Sequence, residues 1–154
     1  TAFPYQTTAV AATLGLAQAT NVVSHERKSS PVDVARAYLA AKDARDLAAA
    51  ESLFADPSTI FETGAVEGAW KNYREHHIGP EIAGIDTFRT ALGEPEVDRS
   101  ADSTMAFVAW PIEYRIRLKD ERLIESRGTV TFVLTRKGQD YRIRPLHWSS
   151  RRKK

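Results

Sequence analysis

Four histidines occur in the chain, and two are adjacent: His76 and His77, inside "NYREHHIGPE" from Asn72 to Glu81. Imidazole titrates near neutral pH, so a histidine in a cleft can give or take a proton there. Neighbours on a helix point about 100° apart, so these two rings address different surroundings. Tyr73, His77 and Glu81 lie four apart, and Trp70 falls on their face. Glu81 is then placed to orient the His77 ring. A third histidine, His147, stands in "PLHWSSRR" and shares strand parity with Tyr141 and Ile143, which turns it inward. Glu62 follows an apolar pair in "TIFETG". An inward carboxylate is costly to desolvate unless paired. It reads either as a general base or as half of an ion pair, with Arg74 or Arg115 as partner. The catalytic candidates are therefore His77, His147 and Glu62, with the two rings expected to face each other. Phe61, Trp70, Tyr73 and Trp110 would line a ligand site, with Glu81 and Thr131 as its polar contacts.

Two histidines and a carboxylate are a metal-capable set. Positions 77 and 147 are seventy residues apart, however, and lack the short spacing of a zinc motif. No metal and no cofactor is read. The absence of cysteine excludes disulfides, thiolate ligands and a cysteine nucleophile. Ser149-Ser150 lacks the G-x-S-x-G elbow of a serine hydrolase. A net charge of +2 on 154 residues gives no footprint for nucleic acid. No apolar run approaches the ~20 residues of a membrane helix, so no membrane partner is expected. Ala9–Ala19, "AVAATLGLAQA", resembles the end of a secretory signal but no basic segment precedes it. Periplasmic or secreted placement and cytoplasmic placement stay equally open.

The positioning elements can be read next. Residues 1–29 are Thr/Ala-rich and end in a polar run, an extension and linker with little expected share in stability. Ser30-Pro31 is a helix start, a hydroxyl cap before a proline whose missing N–H costs nothing. Val34, Tyr38 and Ala41 recur at helical spacing, and a second helix would carry Leu47, Ala50 and Phe54 on one face. "TIFETGAVEGAW" predicts a strand, a glycine turn and entry to a third helix from Trp70 to His77 or Ile78. Gly79-Pro80 should break or kink that helix, with Glu81–Phe88 continuing on a new axis. From Met105 to Leu118 the even positions Val108, Trp110, Ile112, Tyr114, Ile116 and Leu118 are apolar, the period of a half-buried strand. "GTVTFVLTR" and "YRIRPLHW" follow as further strands around the turn "KGQD". Helices first and an antiparallel meander after give an α+β domain over 30–150. Arg151–Lys154 reads as a basic tail, solvated and without order.

The order of elements, together with "VARAYLAAKDARDLAAAESLFADP", "FETG", "YREHH" and "YRIRPLHWSS", resembles the nuclear-transport-factor-2-like superfamily. Within it the chain is similar to the SnoaL-like branch, which includes small bacterial proteins. The resemblance implies a cone: a curved antiparallel sheet wrapped around N-terminal helices, with a pocket at its open end. It also implies a homodimer through the sheet, in keeping with Phe107 and Ala109 on the outward side of the long strand. The fold hosts isomerases, dehydratases, cyclases, hydrolases and binding or assembly modules. Three functions follow. One is a pocket protein for a small apolar or aromatic molecule. Another is an acid–base enzyme, an isomerase, lyase or cyclase, using His77, His147 and Glu62. The last is a dimeric assembly module with a vestigial pocket.

Overall fold

The computed structural model describes residues 29–154; the extension lies outside them. Helix α1 (Pro31–Ala44) starts where the cap residues predict. The Ser30 hydroxyl accepts from the Asp33 N–H at 3.1 Å, and the Asp33 carboxylate accepts from the Ser30 N–H at 3.2 Å. This reciprocal box satisfies two backbone donors that the first turn leaves over. At its other end Arg45 takes a left-handed conformation, and its guanidinium donates to the Ile85 carbonyl at 2.9 Å. That bond ties the helix to the strand beginning there.

Helix α2 (Leu47–Glu51) is shorter than its apolar spacing suggests. Phe54 opens strand β1 (Phe54–Glu62) instead of extending the helix face. A turn at Thr63-Gly64 leads into β2 (Ala65–Gly68), which pairs back on β1. Next comes α3 (Trp70–Tyr73), which passes without interruption into a π-helical turn (Arg74–Ile78) and then α4 (Gly79–Ala83). Gly79-Pro80 therefore does not end the helix. The Gly79 N–H donates to the Arg74 carbonyl, five residues back. The wider turn absorbs the proline, and a side chain at 79 would collide with that carbonyl oxygen.

The helix stops at Ala83, so Phe88 lies not on a new helical axis but in β3 (Ile85–Leu92). After β4 (Glu96–Arg99) come the three long strands β5 (Met105–Leu118), β6 (Leu123–Lys137) and β7 (Asp140–Arg152). The sheet order is β2-β1-β7-β6-β5-β3, with β4 beside the first part of β5. Its neighbours are antiparallel except β1 and β7, which run parallel. The sheet is thus mixed, curved and unclosed around the helices. On β5 the even positions face the helices, as their alternation predicts. Tyr38 of α1 sits at the centre of the core, its ring edge-on to Phe54, Trp70 and Phe132 at 5.6, 6.4 and 5.7 Å.

Two features of β7 depart from the reading of its sequence. Phe132 pairs with Leu146 but Leu134 pairs with Ile143, so three residues of β7 span two steps of β6. The extra residue is a β-bulge, and it inverts parity. Ile143, Leu146 and Trp148 all face the core, while His147 faces out. The basic end is also ordered. Arg151 and Arg152 pair with Arg127 and Ser126, and the Lys153 N–H donates to the Glu125 carbonyl at 2.9 Å.

Candidate acid–base site

Glu62 ends β1 beside Trp148, with its side chain mostly buried. The Tyr73 hydroxyl donates to its Oε2 at 2.6 Å. Neither expected arginine serves it: Arg74 meets Glu51 at 2.6 Å, and Arg115 meets Glu125. Burial, then the Tyr38 hydroxyl and the Glu62 charge, push the Tyr73 phenol well above its ordinary value. Tyr73 therefore stays a donor throughout the neutral range. A hydrogen bond to an ionised acceptor contributes ~1.5–3 kcal/mol, which offsets part of the carboxylate's desolvation.

The π-helical turn sets the next member. His77 lies over Tyr73, ring centroids 5.1 Å apart, between two carboxylates. Its Nδ1 is 3.0 Å from Glu67 Oε1, and its Nε2 is 3.8 Å from Glu62 Oε2. A ring that donates Nδ1–H to Glu67 presents Nε2 toward Glu62. That is the orienting role a carboxylate plays behind a catalytic histidine. His76 turns to solvent, its Nδ1 3.1 Å from the Asn72 carbonyl.

Glu62, Glu67, His77 and Glu81 share the wall of a cavity of about 460 Å³. Tyr114, Ile116 and Ile124 form its apolar side, and Arg151 and Arg152 stand at its edge. The Tyr114 hydroxyl and Ser150 Oγ, also on the wall, are hydrogen-bonded at 2.7 Å. The size suits a small organic molecule. A larger concavity, about 650 Å³, is lined by Pro111, Thr129 and Ser149 among others. It holds no histidine and a single acid, Glu113, so the groups able to move a proton line the smaller cavity. Among the described residues, no three or more His, Asp or Glu side chains form a group able to hold a metal ion.

A SnoaL-like domain model matches residues 32–152. The chain belongs to the SnoaL-like family. No curated protein matches it. Its backbone superposes on a nuclear-transport-factor-2-like superfamily protein from Salmonella enterica serovar Typhimurium with a TM-score of 0.68 at 16% identity, over 76% of this chain and 85% of that one. A proposed ketosteroid isomerase from Shewanella frigidimarina gives 0.64 at 22% identity, over 76% and 92%. A proposed dehydratase of the same superfamily from Streptomyces avermitilis gives 0.65 at 14%, over 75% and 90%. At these identities the likeness establishes a common fold.

Of the residues singled out in the sequence, this SnoaL-like domain brings together Glu62, Tyr73, His77 and Glu81. His147 is not with them. It is exposed on the outer face, opposite Thr131 and edge-on to Phe61 at 6.3 Å, so those three form a separate group. The bulge in β7 is the reason. Trp70 is in the core, stacked on Phe54 at 4.9 Å. Trp110 is buried beneath the Arg36 guanidinium. Both rings are engaged in packing.

Two residues escaped the sequence reading. Glu67 was visible only as a charge beside a glycine turn. The β1–β2 hairpin folds it back over His77. Lys42 lies in "AAKDARD", where a lysine reads as surface. It is only 6% exposed, with Nζ 3.7 Å from the centre of the Trp148 ring. Its position four after Tyr38, on the apolar face of α1, was the available signal. Burial pushes its amine below the usual lysine value, while Glu62, Glu81 and Asp43 pull the other way.

Proposed function

We propose that this SnoaL-like domain is an acid–base enzyme, an isomerase or lyase, that moves a proton on a small molecule next to a carbonyl group. The observation that carries the reading is the set Glu67–His77–Glu62 on one cavity wall, with Tyr73 buried behind it: an imidazole held at Nδ1, its Nε2 beside a tyrosine-bonded carboxylate. Glu62 would take the proton from carbon. His77 would deliver it through Nε2 to the new carbon position or to a leaving hydroxyl, while Glu67 holds the ring. Isomerisation and dehydration of carbonyl compounds both begin with that first step. Solved neighbours described as a proposed ketosteroid isomerase and a proposed dehydratase have the same fold. The apolar wall of Tyr114, Ile116 and Ile124 favours a second reading, capture of an apolar or aromatic ligand without turnover.

Deuterium wash-in tests the proposal. A panel of small ketones and β-hydroxy carbonyl compounds is incubated with the protein in D₂O and followed by proton NMR. Enzyme-dependent loss of an α-proton signal, abolished by Glu62→Gln, supports the enzyme. Saturable binding of a panel member with no exchange leaves the carrier. Exchange that Glu62→Gln does not slow removes Glu62 from the mechanism.

A further inference from the structure

Lys42 poses a problem that packing does not solve. A lysine this buried is nearly always paired. Among the described residues, no hydrogen bond or ion pair reaches its Nζ; it rests on the faces of Trp148 and Phe88, 3.7 and 5.3 Å from their centroids. The adjacent acid does not serve it, because the Asp43 carboxylate accepts from the Thr90 N–H and hydroxyl at 2.9 and 2.6 Å. A leucine or methionine there would fill the space without the cost of desolvating an ammonium. Nor is the nitrogen closed off. Among the described residues, Trp70 Nε1 alone is both sealed from solvent and without a hydrogen-bond partner. Lys42 Nζ, also without one, therefore keeps a path to solvent. Lys42 stands directly behind the cavity wall: Tyr114, which lines the cavity, packs on the same two rings, Trp148 at 5.5 Å and Phe88 at 5.4 Å.

We propose that Lys42 is an amine nucleophile that forms an imine with an aldehyde or ketone admitted to the Glu62–His77 cavity. The surroundings suit both states such a group must visit. Apolar rings on one side disfavour a hydrated ammonium and favour the free amine with its lone pair. The ring face of Trp148 and the carboxylates of Glu62 and Glu81 stabilise the cation that follows. The free amine adds to the carbonyl carbon, and its displaced proton with the former carbonyl oxygen gives a carbinolamine. A second proton lets that hydroxyl leave as water, forming a C=N⁺ iminium. The iminium acidifies the neighbouring C–H, whose proton passes to Glu62 and leaves an enamine. Return of a proton to carbon, through Glu62 or His77, restores an iminium. One water hydrolyses it to the free amine and the carbonyl product, with release of the proton taken up when the hydroxyl left. The idea rests on the reading of the cavity as a site for carbonyl compounds, and adds the class of intermediate.

The test is reductive trapping. The protein is incubated with propanal and, separately, acetone, each with sodium cyanoborohydride, then digested and mapped by mass spectrometry. The exposed Lys71, Lys119 and Lys137 are internal standards in the same sample. Lys42 should be alkylated about ten-fold faster than any of them, and Lys42→Arg should remove that adduct while the surface pattern stays. Should Lys42→Arg fail to fold, the comparison within the wild-type chain still decides. Labelling of Lys42 no faster than the surface lysines overturns the proposal. Trapping without Glu62-dependent deuterium exchange sinks the acid–base reading alone, and exchange without trapping sinks the imine alone.

Discussion

His77 and His147 border opposite faces of one sheet, and an extra residue places each of them. In the helix after β2, the π-helical turn sets the His77 ring against Glu67 and Glu62. In β7, the bulge between Ile143 and Leu146 sends His147 outward to Phe61 and Thr131. The inner histidine is flanked by carboxylates at a cavity. The outer one lies among Phe61, Val66, Ala109 and Thr131, a row across neighbouring strands with little charge. The two faces thus differ in kind: one holds the groups that can move protons, the other presents a largely uncharged row of side chains. Ring identity says nothing about which is which; the insertion of one residue does.

The largest expected effect separates the two faces by chemistry. Glu62→Gln should lower the rate of deuterium wash-in at least about 100-fold, the usual contribution of a positioned base. His147→Ala should leave that rate unchanged, since its ring borders no part of the cavity. A loss with His147→Ala would return the outer histidine to the site and break the comparison.

The outer face should respond to a different substitution. We propose a homodimer through it, motivated by half-buried Phe107, Ala109 and Val133 on a sheet face that no helix among the described residues covers. Light scattering at micromolar concentration should give twice the 17.2 kDa chain mass. Ala109→Lys should shift the population to monomers without unfolding it, because Glu96 lies opposite that position on β4. A wild-type monomer would end the proposal and leave the wash-in result standing.

A third prediction tests the π-helical turn itself. Gly79→Ala should cost ~1–3 kcal/mol in urea unfolding, the usual price of overpacking, because the new methyl meets the Arg74 carbonyl. Relief of that clash would narrow the turn and rotate His77 away from Glu67, so wash-in should slow as well. Unchanged stability would show that the turn tolerates an ordinary α-helical register.

Much of this was legible in the chain. Ser30-Pro31 marked α1, and the alternation from Met105 to Leu118 marked β5, because each signal is local and repeats without interruption. Glu62 was legible because it sits at the end of a strand, and His77 because it lies four residues from both Tyr73 and Glu81 in a helical stretch. What failed was parity carried across an irregularity. Counting in twos from Ile143 assigns His147 inward, and only pairing with β6 reveals the extra residue. The first part of β3, Ile85–Phe88, reads as a continuation of helix because its pairing with β5 shifts between Ile85 and Thr87, which leaves Ile85 and Phe88 three apart with both buried. Glu67 depends on a contact that no local pattern encodes, and the one local sign of Lys42 is its spacing from Tyr38.

Lys42 gives the effect with the clearest sign. Burial lowers the folded-state affinity of its amine for a proton, against the pull of Glu62 from β1, Glu81 from α4 and Asp43 on its own helix. The unfolded chain holds that proton up to the ordinary lysine value, about 10.4. Between the lowered folded value and that point, the unfolded state binds more protons, so unfolding free energy rises with pH. The full cost of Lys42 is therefore present below its folded value and fades as the solution becomes alkaline. Lys42→Met keeps the stem and removes the amine. It should stabilise the domain by ~1–3 kcal/mol at neutral pH, with the gain shrinking toward alkaline pH. Urea unfolding of both proteins at the two conditions reads this directly. A destabilised Lys42→Met at neutral pH would mean that the ammonium on Trp148 is held as a structural cation, and the case for a reactive amine on the inner face would weaken with it.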